Sequence, residues 1–179
     1  IIQNPTHTKT NPLKTKKTNK KGSDVENVGY VIPTPVVAHF LADYVRTGGF
    51  TGFPALGVQW QRMESDTLRA AYGMRPGQKG VLIRRVNPTS KAAGLLAPDD
   101  VLMAFDGVAI ACDGTVPFRT GERIAFSYLI SNKYVGDTAR LTVLRAGKEL
   151  NVDVQLSKPA HLVPPHLSNA DPSYFLAAG

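Results

Sequence analysis

Asn87-Pro-Thr-Ser-Lys-Ala-Ala-Gly-Leu-Leu-Ala-Pro-Asp-Asp-Val-Leu-Met-Ala-Phe-Asp-Gly107 is the most informative stretch of the chain. Its first half, Asn87 to Asp100, reads as a loop with a short helix around Ser90 to Ala93. Ala92, Ala93 and Leu95 suit a tight turn packed beneath a sheet. Asp100 can accept backbone N–H groups in the turn that precedes a strand, Val101 to Phe105. Asp106-Gly107 then marks a turn, because both residue types tolerate a left-handed backbone.

Upstream, Gly80 to Val86 is rich in β-branched residues and reads as a strand. Ser65 is a good N-cap for a short helix carrying Leu68, Ala71 and Tyr72, closed by Gly73. Leu56 to Trp60 alternates weakly. A longer helix starts at Thr34, with Pro35 at its first helical position, and ends at Gly48 and Gly49. Val36, Val37, Phe40, Leu41, Tyr44 and Val45 recur at helical spacing as one apolar face. His39 falls on or near the polar face and reads as a surface histidine rather than a catalytic base. Before this helix, Asn27 to Pro33 reads as a strand and turn.

Downstream, Gly121 to Lys133 reads as helical. Thr138 to Leu144 and Glu149 to Leu156 read as strands around the turn Arg145-Ala146-Gly147-Lys148. In the second, Leu150, Val152, Val154 and Leu156 alternate with polar residues, as in a half-buried antiparallel strand. Five or so short strands with two or three helices make a small, mostly antiparallel α+β barrel or sandwich.

The rest of the composition narrows the function classes. The formal charge is +7, but residues 1–21 hold six lysines and no acid, so the remainder is close to neutral. Residues 1–23 are too polar to offset their ordering entropy and are expected to be disordered. Lys14 to Lys21 reads as a solvated tail; a nucleic-acid patch is the competing reading and lacks arginines and interleaved aromatics. No apolar run approaches the roughly 20 residues of a membrane span. The first residues lack a signal-peptide core, and a start at Ile1 reads as a piece of a longer protein. Cys112, the sole cysteine, excludes an internal disulfide and a multi-cysteine zinc site; it reads as a half-buried structural thiol. No phosphate loop, dinucleotide fingerprint, His-Glu-x-x-His pair or Gly-x-Ser-x-Gly elbow occurs, so no cofactor and no metal is expected. Ser127 and Ser131 have no base nearby in sequence.

The Asn87–Gly107 run resembles the core signature of the PDZ domains of proteases. Asp99 stands where glycine is usual, a departure expected to alter only the local turn. Phe53-Pro-Ala-Leu-Gly-Val58 resembles the carboxylate-binding loop of the Deg/HtrA (Protease Do-like) serine proteases. Gly114 to Ser131 resembles the insert and helix of the plant members, and His161-Leu-Val-Pro-Pro-His166 with Pro172-Ser-Tyr-Phe175 their onward linker. The resemblance implies residues 24–49 as the end of a trypsin-like domain, 50–158 as a PDZ domain, and 159–179 as a linker. It implies an ATP-independent serine endopeptidase of protein quality control whose catalytic residues lie outside this chain, so no catalytic residue is expected here. It also implies a chloroplast location, with nuclear and mitochondrial relatives similar, and homo-oligomers built through the protease domain. A stand-alone PDZ adaptor is the alternative, and a nucleic-acid binder the third.

The resemblance implies the site as well. Peptide C-termini or exposed hydrophobic segments would add as a strand. Leu56, Gly57 and Val58 would supply N–H donors to a carboxylate, and Leu56, Val58, Ile124 and Tyr128 an apolar pocket. Ile124 and Tyr128, four apart on the expected helix, would share a face. Trp60 is either a peptide contact or a sheet-packing residue. Arg119, Glu122 and Arg123 are either tuning charges beside the groove or a solvated face.

Overall fold

The computed structural model describes Gly29 and residues 31–160; the lysine tail and the expected linker beyond Ala160 lie outside the described residues. The chain divides into two units, Ile1–Pro33 and Thr34–Gly179. In the first, Val31 to Pro33 forms no strand, and Val31 and Ile32 are exposed. The expected strand there is not found in its described part.

The second unit begins with α1 (Thr34–Thr47). There follow β1 (Val58–Gln61), α2 (Asp66–Ala71), β2 (Val81–Val86), β3 (Val101–Phe105) and β4 (Val108–Ala109). The chain continues through β5 (Thr115–Arg119), β6 (Glu122–Ala125), α3 (Ser127–Ser131), β7 (Thr138–Arg145) and β8 (Lys148–Gln155). Every pairing between these strands is antiparallel. The main sheet runs β1-β2-β3-β7-β8, with β4 also paired to β3, and β5-β6 is a separate hairpin. The α+β class is as expected, built as open sheets rather than a closed barrel.

The core follows from strand alternation. Val81 and Ile83 of β2 join Leu102, Phe105, Leu141, Val143 and Val154 on one face, closed by Val116 and Phe126 from the hairpin side. Leu82 points the other way, into a second cluster with Met63, Val101 and Leu144 beneath Leu68 and Tyr72 of the α2 segment. Hence Val81-Leu82-Ile83 is an unbroken apolar run: that part of the sheet is covered on both faces. A register shift between Leu102 and Ala104 lets both Leu102 and Phe105 enter the first cluster.

Several local signals work as read. Ser65 caps α2 and accepts from Leu68 N–H. Asp106-Gly107 and Ala146-Gly147 both adopt positive φ. In β8 the alternation buries Val154, while Leu150 near the strand start remains exposed. One expected helix is absent and another is shortened. Ser90 to Ala93 forms hydrogen-bonded turns. Glu122–Ala125 is a strand, and only Ser127–Ser131 is helical. The hairpin wins because Gly121 takes φ 78° next to the Arg119–Glu122 pair, and Val116 sits opposite Ile124. Pro117 of β5, the partner strand, is tolerated in a two-stranded hairpin.

Ala146, at φ 48°, is a residue without glycine's freedom in a two-residue hairpin turn. Asn at this position suits the left-handed turn better. Ala146→Asn is expected to stabilise the domain by about 1 kcal/mol, seen as a higher urea midpoint with unchanged slope. An unchanged or lower midpoint would show that the turn carries no such strain.

Candidate functional site

An open groove of about 820 Å³ lies between β1 and the β6–α3 segment, with Pro54 to Gly57 at one end. Leu56, Gly57, Val58, Trp60, Ile124 and Tyr128 all line it. The six residues singled out in the sequence thus share one concave surface.

The loop before β1 is held from behind. Ala55 N–H donates to Ser157 C=O at 2.9 Å, and Asn87 N–H donates to Gly57 C=O at 2.7 Å. The peptide between Gly57 and Val58 is trans, so a carbonyl aimed at Asn87 turns the Val58 N–H the opposite way, toward the open side of β1. The N–H groups of Leu56 and Gly57 have no partner among the described residues. Because β1 is an edge strand, its outer hydrogen-bonding groups are free to pair with another chain.

Gly57 has two reasons to be glycine. Its φ is 75°, and Ser90 already fills the space a Cβ would take, with Ser90 Oγ 2.7 Å from that point. Leu56 is buried and forms the floor of the pocket, while Val58 and Ile124 are half-buried. Tyr128 meets Phe118 edge-on, with ring centroids 5.2 Å apart.

Ile124 and Tyr128 do not share a helix face as expected. Ile124 comes from β6 and Tyr128 from α3, and the chain reversal brings both to the groove. Trp60 resolves to both of its readings. Its ring packs 5.3 Å from Phe126 and over Gly114, where any Cβ would strike it, yet the residue is 37% exposed and lines the groove. Asp113 anchors that Gly114 turn. Its carboxyl is held below the usual range first by the Thr115 hydroxyl and then by the Thr115 N–H, at 2.8 and 2.9 Å.

Arg119, Glu122 and Arg123 are not lining residues. Arg123 instead donates to the Thr115 hydroxyl and carbonyl at 2.7 and 2.9 Å, and Arg119 lies over the Phe118 ring. The charge at the groove is Arg85, whose β2 position is opposite Gln59 of β1. Nothing in the sequence marks Arg85 over its neighbour Arg84, since cross-strand register decides which one faces the groove. Ser127 and Ser131 also line it, and Ser131 Oγ donates to Tyr128 C=O at 2.9 Å. Among the described lining residues the ionisable side chains are Arg85 and Tyr128, which supplies no base for a serine nucleophile. Cys112 is half-buried, as expected. No cluster of three His, Cys, Asp or Glu side chains converges among the described residues. No helix among them is long and apolar enough to cross a membrane.

Asp100 has a larger role than the sequence suggests. It accepts Ala97 N–H at 2.9 Å as expected. It also takes two hydrogen bonds from Arg145, from Nε and Nη2, both at 2.7 Å. Arg145 Nη2 further donates to Leu95 C=O at 2.9 Å. The guanidinium pKa is raised, chiefly by the hydrogen bonds to Asp100 against the effect of burial. This fork ties the loop before β3 to the end of β7. Next to it, Asp99 takes the left-handed conformation usual for glycine, at φ 72°, and accepts from Tyr72 OH at 3.2 Å.

Helix α1 turns its apolar face away from the rest of the domain. Its apolar residues Leu41, Tyr44 and Val45 are 56%, 54% and 85% exposed, whereas its polar side meets the domain. Asp43 is buried and accepts from Thr51 N–H at 2.7 Å and Thr51 Oγ1 at 2.8 Å. Its carboxyl is held below the usual range first by the Thr51 N–H, with burial opposing, then by the Thr51 hydroxyl and Arg46. His39, expected at the surface, is half-buried and stacks on Phe53 and Tyr134.

Comparison with known proteins agrees with this geometry. The family model for the PDZ domain matches residues 54–156. Protease Do-like 2, chloroplastic, of Arabidopsis thaliana is 50% identical over 159 residues, which are 89% of this chain and 26% of that protein. Protease Do-like 4, mitochondrial, of the same plant is 40% identical over 160 residues, 89% of this chain and 31% of that protein. The chain thus spans about a quarter to a third of these relatives. Among solved structures, the HtrA-type protease AlgW with tripeptide gives a TM-score of 0.50 at 22% identity, covering 73% of this chain and 40% of that one. A second structure, the HtrA-type protease AlgWS227A with decapeptide, gives 0.52 at 23% identity, covering 75% of this chain and 37% of that one. At these identities the structural likeness is one of fold.

Proposed function

Because this chain belongs to the PDZ domain family, we propose that it is the peptide-recognition part of a Deg/HtrA-type, ATP-independent serine endopeptidase acting in protein quality control. The observation that carries this reading is the open edge of β1: free N–H groups at Leu56, Gly57 and Val58 beside a pocket of Leu56, Val58, Ile124 and Tyr128. An extended peptide would pair with Val58 to Trp60 as an added strand, leave its carboxylate on the loop N–H groups, and bury its last side chain. Side chains alternate along a strand. The penultimate one would therefore face Gln59 and Arg85, which favours an acid there.

The rest of the enzyme would supply hydrolysis and assembly into oligomers. We assign α1 to the end of the protease domain, because its outward apolar side is suited to burial against further protein. The names of the two plant relatives support an organelle, and the 50% identity to the chloroplastic one favours the chloroplast.

The test is binding of the purified chain to a peptide array in which every peptide is present with a free and an amidated C-terminus. Free-carboxylate peptides with apolar last residues are expected to bind, to lose binding on amidation, and to bind poorly to a Val58→Asp variant. Equal binding of both forms would remove the carboxylate nest from the reading.

A further inference from the structure

His39 of α1 touches residues that lead into both walls of the groove. One face of its ring lies 5.7 Å from Phe53, near parallel. Phe53 precedes Pro54, the first lining residue of the loop that bears the N–H groups. His39 also stacks on Tyr134 at 4.3 Å with planes 8° apart. Tyr134 follows α3, whose Tyr128 and Ser131 form the opposite wall. Tyr134 carries Arg46 at 3.9 Å as well. His39 and Arg46 are seven residues apart, roughly 10 Å along a helix, so the Tyr134 ring is inserted between two side chains of α1. Asp43, between them, pins the segment leading to Phe53 through Thr51.

We propose that His39 is a positioning residue for the groove: a wedge that ties the carboxylate loop to the wall beyond α3, so that seating of α1 sets the peptide site and a bound peptide in turn holds α1. This rests on the reading of the groove as a peptide site. Linkage makes the coupling reciprocal. His39 Nε2 is buried without a partner among the described residues, so the ring acts here through its faces, and a phenyl ring should replace it.

The probe is a decapeptide with an apolar last residue and a free carboxylate. Trp60 is the sole tryptophan and lines the groove, so its emission reports occupancy. His39→Ala is expected to weaken binding about fivefold or more, and His39→Phe to restore it. In the wild-type chain, peptide should slow amide exchange across Phe40 to Thr47; in His39→Ala it should not. Unaltered affinity in His39→Ala with α1 still helical, or a His39→Phe variant as weak as His39→Ala, would overturn the wedge. If the wild-type chain binds no such peptide, the groove reading fails on its own. The wedge is then decided without ligand: faster exchange at Phe53 to Val58 in His39→Ala supports it, and unchanged exchange refutes it.

Discussion

Arg145→Met is expected to destabilise the domain by about 3 kcal/mol, because it strands a buried carboxylate. Asp100 is 2% exposed and takes two of its three hydrogen bonds from this one guanidinium. Without Arg145 the carboxylate would keep one donor among the described residues, the Ala97 N–H. The Arg145 side chain is itself 40% exposed, so the pair is desolvated mainly on the acid side, which places the cost at the low end of the range for broken buried pairs. Arg145→Lys keeps the charge but lacks the planar fork and should fall between the two. Urea unfolding followed by Trp60 emission measures this. A loss below about 1 kcal/mol would mean that the pair behaves as an ordinary surface bridge, and that the loop before β3 is held by packing alone.

Gly57→Ala combines two separate costs. The positive φ of 75° disfavours any Cβ, by about 1–2 kcal/mol. The new Cβ would also fall on Ser90, and forcing the loop away costs roughly another 1–3 kcal/mol. Since Gly57 lies between two of the proposed carboxylate donors, the displaced loop should lose peptide binding as well as stability. Adding Ser90→Gly removes the Cβ that is struck but leaves the φ cost. The double variant should therefore recover part of the stability and never all of it. Full recovery would show that only the clash matters, and no recovery that the backbone conformation alone explains the glycine. Normal peptide binding by the single variant would remove this loop from the site.

Much of the fold is written locally. Val81-Leu82-Ile83, the alternation in β8, Ser65 before α2, and the turns Asp106-Gly107 and Ala146-Gly147 each encode period, cap or turn within a few residues. The candidate groove residues were also legible, Leu56, Gly57 and Val58 through the motif that Phe53 to Val58 resembles, and Ile124 and Tyr128 through the one that Gly114 to Ser131 resembles. The segment Gly121 to Lys133 was not, because Ile124, Phe126 and Tyr128 satisfy either a strand followed by a turn or a continuous helix. Its pairing with Thr115 to Arg119 selects the hairpin.

By itself, then, the sequence determined most strands of the main sheet with their turns, the cap of α2, and, through a resemblance, that the Phe53–Gly57 loop adjoins a candidate peptide site. Tertiary structure alone decided that Arg85 rather than Arg84 faces the groove, that Arg145 meets Asp100 across 45 residues, and that α1 turns His39, Asp43 and Arg46 inward with its apolar side outward. The reason is physical. Periodicity shows that a helix has an apolar face, but which face is buried depends on the surface against it, and here the domain offers Thr51, Tyr134 and Asp137 to the polar side.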